Sequence, residues 1–168
     1  MPRDLSRLAE RVLKRAIDCG WSVVTAESCT AGALANHLSK AEGASKHFHG
    51  GIVTYTKDMK TAALGVSAAL LRKKTAVCAE VASAMAKGAL ARSPADVAVS
   101  VTGVAGPQPD EDGNPVGLIY CAVARRGGAV KTARLHIEKK ATSRILQDAM
   151  RLALGLLDET CRTQAKKR

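Results

Sequence analysis

Five short runs rich in valine, isoleucine and alanine alternate with segments whose apolar residues recur at helical spacing, and this alternation leaves few architectures open. The most constrained run is 96–101, DVAVSV, nearly unbroken in apolar character, as expected of a central strand covered on both faces. The others are 21–26, 51–56 (GIVTYT), 117–124 and 129–137, the last two joined by 125–128 with Gly127-Gly128 as a hairpin turn. Helical spacing runs over 4–19, where Leu5, Leu8, Val12, Ala16 and Ile17 recur, Asp4 can cap and Gly20 can terminate. It returns over 30–40, 79–91 and 141–161, the last carrying Ile145, Ala149, Leu152, Leu156 and Leu157 on one face. Residues 57–60 read as a first helical turn, and 64–71 as an irregular helical connection. Residues 42–51 read as a loop, with glycines around Ser45, His47, Phe48 and His49. The His-x-His pair lacks a matching cysteine and is read as loop rather than metal site. This order predicts an α/β fold, a three-layer α/β/α sandwich with a mixed, mostly parallel five-stranded sheet. Residues 1–168 are expected to form a single domain, with the basic tail 162–168 disordered.

Composition narrows the class. A chain of 168 residues can bury roughly two-thirds of its unfolded surface without staples. With one tryptophan, two tyrosines and one phenylalanine, the core must be alanine, valine and leucine, which favours close packing of helix on sheet. No apolar run approaches the roughly 18 residues of a membrane span, and the N-terminus lacks the apolar core of a signal peptide. Five scattered cysteines without a C-x-x-C point to reduced thiols and a cytoplasmic location. The net charge of +11 attracts anions, either nucleic acid or a phosphorylated metabolite. The few, ungrouped aromatics argue against a reader of single-stranded nucleic acid.

Two stretches carry candidate chemistry. Residues 25–32, TAESCTAG, stand where a strand ends and a helix begins. Ser28 or Thr30 is then either a helix N-cap, or Ser28 is an acyl-transfer nucleophile with helix-start N–H groups as oxyanion donors. Residues 102–107, TGVAGP, form a glycine-rich turn after the buried strand, without the Walker-A lysine or G-x-G-x-x-G spacing. Ligands of open α/β sheets gather outside the carboxyl ends of strands, which puts Ser28, Tyr55 with Lys60, and the 102–106 turn in one neighbourhood. No Ser-His-Asp set is evident, and Ala26 and Thr30 replace the glycines of a G-x-S-x-G elbow. A buried lysine can replace histidine as base, and Lys60 is the candidate; the other reading is a solvated helix lysine.

TAESCTAG, then GAS-x-x-F-x-GGIVTYT-x-x-x-K-x-x-x-LGV, AVSVTGVAGP and NPVGLIYCAVA, together resemble the C-terminal domain of the competence/damage-inducible CinA family from about residue 5 to 158. That family includes stand-alone nicotinamide mononucleotide deamidases. The resemblance implies a nucleotide amidase of pyridine nucleotide salvage that needs no metal or other cofactor. By position, Ser28 is the nucleophile, Lys60 its base, and Tyr55 supports the pair. Thr30, Gly32 and Ser45 are expected to bind substrate, as are Thr102, Gly103, Gly106 and, at the start of the last helix, Arg144. The implied partner is a small nucleotide, with no membrane or nucleic acid, and a homodimer is compatible with the family. Ala31 replaces a glycine and Lys57 an asparagine that the family usually shows, and Lys139-Lys140 stand where an acidic-then-arginine pair is common. These departures leave a catalytically inactive nucleotide-binding module as the alternative. An inward-pointing Lys57 would also depress the pKa of Lys60, whereas a solvent-facing one would not.

Overall fold

The computed structural model describes residues 2–166. In chain order its elements are α1 (Pro2–Asp18), β1 (Val23–Glu27), α2 (Ala33–Ser39), α3 (Ala44–His47), β2 (Phe48–Val53) and α4 (Lys57–Leu64). They continue with α5 (Ala68–Lys74), α6 (Ala79–Ala91), β3 (Val97–Gly103), β4 (Leu118–Arg125), β5 (Lys131–His136) and α7 (Thr142–Ala165). The five strands form one sheet in the order β2-β1-β3-β4-β5. β1 is parallel to both β2 and β3, while β4 runs antiparallel to β3 and β5. Four strands therefore point one way and β4 the other, so the sheet is mixed and mostly parallel as expected.

The two faces are packed differently. On one, Val97, Val99 and Val101 of β3 and Ile119, Cys121 and Val123 of β4 meet Leu5, Val12 and Leu13 of α1 and Ile145, Leu154 and Leu157 of α7. On the other, Ala26, Ala98, Ala122 and Ala124 meet Ala82, Met85, Ala86 and Ala89 of α6. This alanine face is the close helix-on-sheet contact that the scarcity of aromatics predicts. α6 sits near enough for Ser100 Oγ to donate to the Ala82 carbonyl at 2.6 Å, and α4 near enough to α6 that a Cβ on Gly88 would fall 2.0 Å from the Leu64 carbonyl oxygen.

Three expectations are corrected. Residues 42–51 are not all loop: His47 ends α3, and Phe48 and His49 open β2. Gly51 lies inside that strand because a Cβ there would meet Thr25 Oγ1 at 2.5 Å and Ala35 Cβ at 2.8 Å. The strand placed at 51–56 thus runs Phe48–Val53, and Thr56 instead caps α4, its hydroxyl accepting the Met59 N–H at 3.2 Å. Finally, α7 continues through Ala165, so residues 162–165 of the basic tail are helical, and residues 167–168 lie outside the described residues.

The parallel strands β2, β1 and β3 end on one edge of the sheet. The chain leaves β1 for β2 on one side and later returns to β3 on the other. The order reverses at β1, and a crevice opens beyond such a switch point.

Candidate active site

β1 ends in Glu27, which is fully buried, and Ser28 follows. The Glu27 carboxylate accepts from the hydroxyls of Thr25 (3.0 Å) and Thr30 (2.6 Å) and from the N–H groups of Gly32 (2.9 Å), Leu34 (3.1 Å) and Ala35 (2.8 Å). It is therefore this side chain, neither Ser28 nor Thr30, that caps α2, satisfying N–H groups a helix start leaves free. Two expectations fall with it. The Gly32, Leu34 and Ala35 N–H groups are engaged by Glu27 and are not free for an oxyanion, and Thr30 and Gly32 contact this carboxylate and are not among the residues of the cleft over Ser28.

Ser28 is held by its own N–H, which donates to the Val101 carbonyl of β3 at 3.0 Å. Its hydroxyl lies 2.8 Å from Lys60 Nζ. Lys60 sits one turn into α4 and is only 1% exposed; it is not a solvated helix lysine. Nζ also donates to the Thr54 carbonyl at 2.8 Å, with the Tyr55 carbonyl at 3.5 Å. No carboxylate is among these partners. Burial pulls the Lys60 amine down to about 8, since water no longer stabilises the ammonium. With its two N–H bonds on the carbonyls, a neutral amine turns its lone pair towards the Ser28 hydroxyl. Cys29, beside Ser28, is pushed up to about 12 by burial, although its own N–H, Lys60 and the Thr30 N–H all favour the thiolate, and it is a neutral thiol in the cleft wall.

A cleft of about 670 Å³ opens over this pair. Ser28, Cys29, Lys60, Val77 and the residues 102–106 form its floor and walls. The Thr102 hydroxyl donates to the Ala76 carbonyl at 2.8 Å, tying the end of β3 to the segment before α6. Gly103 is packed so closely that a Cβ would lie 2.3 Å from Ile119 Cδ1, and Gly106 takes a left-handed φ of 94°. The outer wall is acidic: Asp58, Asp110, Glu111 and Asp112 all line it. Lys57 is half-buried and pairs with Asp112 (2.7 Å) and Glu111 (3.2 Å), so it neither points at Lys60 nor stands free in solvent. It fastens the 108–115 loop to α4, while Asp112 also accepts the Ala76 N–H at 3.3 Å.

Other expected site residues are placed differently. The Tyr55 side chain is 68% exposed; Tyr55 lines the cleft, but it reaches Lys60 through its carbonyl and not its phenol. Ser45 is exposed on α3, before the start of β2, away from the strand ends that carry Ser28, and does not line the cleft. Arg144 pairs with Asp148 at 2.9 Å and does not line the cleft either. The end of α7 does abut it: a Cβ on Gly106 would lie 3.6 Å from Thr142 Oγ1. Glu27 and the Lys57–Asp112 latch are absent from the sequence reading. A carboxylate just ahead of a helix start was the available signal for Glu27; the latch spans 55 residues and leaves no local mark.

Comparison with known proteins agrees with this fold. The family model "CinA C-terminal domain" matches residues 5–161. The chain belongs to the CinA family. A CinA-like protein of Geobacter sulfurreducens is 45% identical over 123 residues, covering 73% of this chain and 30% of that protein. A CinA-like protein of Mycolicibacterium vanbaalenii is 49% identical over 113 residues, 67% of this chain and 27% of its own length. The chain thus spans under a third of these two CinA-like relatives. Among solved structures, a CinA superfamily protein from Escherichia coli superimposes with a TM-score of 0.86 at 37% identity, covering 91% of this chain and 88% of that one. A CinA superfamily protein from Klebsiella pneumoniae does so at 0.89 and 32% identity, covering 95% and 98%. Among the described residues, no helix is long and apolar enough to cross a membrane.

Proposed function

We propose that this chain is a nicotinamide mononucleotide deamidase that hydrolyses the carboxamide to nicotinate mononucleotide and ammonia through a Ser28 acyl-enzyme. The observation that carries this reading is the 2.8 Å contact between the Ser28 hydroxyl and a buried lysine with no carboxylate partner. A lysine with its pKa near 8 is partly neutral at physiological pH and can take the hydroxyl proton as Ser28 Oγ attacks the amide carbon. The same amine, now protonated, returns the proton to the departing nitrogen, so ammonia leaves. Water entering from the cleft then adds to the acyl carbon, giving a proton to Lys60, and the protonated amine passes that proton to the Ser28 oxygen as the ester bond breaks and the acid product leaves. Among the described residues the Ala105 and Gly106 N–H groups have no acceptor, and both residues lie in the cleft wall. With the Cys29 N–H, which also lines the cleft and has no acceptor among the described residues, they are donors available to an oxyanion or to a phosphate.

The test is ammonia release from nicotinamide mononucleotide by the purified chain, with Ser28→Ala and Lys60→Ala inactive yet folded. Wild-type protein that releases no ammonia at any pH between about 6 and 9 ends the proposal. Nucleotide binding without turnover would identify the inactive binding module instead.

A further inference from the structure

The roles given to Ser28 and Lys60 leave unused the residue that joins their two frames. Glu27 accepts five hydrogen bonds while fully buried. Three come from N–H groups at the start of α2, as a cap requires. The other two, from the Thr25 and Thr30 hydroxyls, tie the same carboxylate to β1 and to the turn that carries Ser28.

The main chain of Glu27 completes a closed circuit. Its carbonyl accepts the Thr54 N–H at 2.7 Å; the Thr54 carbonyl accepts Lys60 Nζ at 2.8 Å; and Nζ stands 2.8 Å from the hydroxyl of Ser28, the next residue in the chain. Any displacement of residue 27 therefore changes the spacing between hydroxyl and amine. On a surface turn such a displacement would be cheap. Here the carboxylate is held from strand, turn and helix at once.

We propose that Glu27 is a positioning residue: its carboxylate clamps residues 25–35 so that the Ser28 hydroxyl stays in reach of the Lys60 amine. The inference rests on Ser28 acting as nucleophile and Lys60 as its base. A residue that only capped α2 would support stability and leave turnover by the folded protein unchanged. A positioning residue controls kcat and the intrinsic reactivity of Ser28, with little effect on KM.

Two variants and two readouts separate these roles. Glu27→Gln keeps the volume but turns an NH2 group against N–H donors. Thr30→Val removes one donor and leaves the carboxylate in place. Each is assayed, at a temperature where circular dichroism matches wild type, for kcat and KM of ammonia release. Each is also assayed for the rate at which a fluorophosphonate probe labels Ser28, with Ser28→Ala as control. The probe requires an activated serine but no nucleotide. Glu27→Gln is expected to lower kcat about 100-fold with KM within about threefold, the scale of a small misplacement of reacting groups. Thr30→Val is expected to lower kcat about fivefold, and labelling slows in parallel in both. Wild-type kcat and labelling in either folded variant, a loss confined to KM, or no labelling of Ser28 in wild type overturns the proposal. If Glu27→Gln does not fold, Thr30→Val alone decides. If wild type is labelled but releases no ammonia, the deamidase reading fails separately, and slower or equal labelling of the variants still supports or overturns the positioning role.

Discussion

Glu27 and Lys60 are both ionisable, both buried, and joined through the backbone of Thr54, yet their surroundings are opposite. Glu27 meets five donors and accepts from every one. Lys60 meets one hydroxyl and two carbonyls and no counter-charge, and burial lowers its pKa to about 8. The acid is saturated with donors; the amine is left short of partners and is free to give up its proton. A buried amine bound to a carboxylate would remain an ammonium and could not act as a base. The separation has a structural origin. Side chains alternate across a strand, so Glu27 lies with Thr25 on the α2 side of β1. α4 packs on α6, on the far side of the sheet.

The largest effect expected from breaking this contrast is on turnover. Lys60→Met removes the proposed base and should lower kcat at least about 1,000-fold, as measured by ammonia release. The same variant should not be destabilised near neutral pH, because an ammonium poorly compensated in the interior is replaced by an apolar side chain. The opposite holds for the acid. Glu27→Ala leaves five buried donors without an acceptor and should destabilise the fold by at least about 3 kcal/mol in urea melts.

The depressed lysine also sets two pH dependences. Only the neutral amine takes the serine proton, so kcat/KM should rise about tenfold per pH unit below 8 and level off above it. For stability the unfolded chain holds this proton more tightly than the native one, with a pKa of 10.5 against about 8. Between those values the unfolded state binds more protons, so native stability rises with pH, by about 3 kcal/mol in all. Below pH 8 both states are protonated and the contribution vanishes. The difference between wild type and Lys60→Met in urea melts across this window isolates it; parallel curves would mean that the amine is not perturbed.

Much of this was legible in the sequence. The pattern of apolar runs was enough for the sheet and its two helical layers, because a strand buried on both faces and a helix with an apolar stripe leave unlike signatures. Ser28, Lys60 and the 102–106 turn were brought together by the rule that ligands gather at strand ends. Edge strand β2 lies three residues earlier than the apolar pattern places it because two glycines, ordinarily turn signals, fall inside it: Gly51 for want of space over Thr25 and Ala35, and Gly50 at a φ of 121°. Glu27 shows in the sequence only as a carboxylate ahead of a helix start, because its five donors converge only after folding. Tyr55 is expected to support the pair, and its contact with Lys60 is through its carbonyl, an atom that carries no residue identity.

Lys57 sharpens the contrast from outside. It is a paired cation near the mouth of the cleft, and its own pKa is raised by the hydrogen bond to Asp112. If burial alone depresses Lys60, Lys57→Ala should leave the midpoint of the kcat/KM profile in place while freeing the 108–115 loop. The expected change is a rise in KM of about threefold, reproduced in wild type by high salt that weakens an exposed ion pair. A shifted midpoint would show that charge at residue 57 reaches the base.

The smallest effect concerns the turn between the two groups. Ala31, exposed, has a φ of 48°, a left-handed conformation that costs an ordinary residue about 1–2 kcal/mol. It stands between Thr30 and Gly32, both bound to the Glu27 carboxylate, so the clamp holds the chain in this shape against its local preference. Ala31→Gly removes the strain but makes the unfolded chain more flexible, an offset of about 0.4–1 kcal/mol, so a net gain of about 0.5 kcal/mol is expected in wild type. In Glu27→Gln, where the clamp is weakened and the turn can relax, the same substitution should gain less. Equal gains in both backgrounds, measured as a double-mutant cycle, would show that the strain at residue 31 is not imposed by the carboxylate.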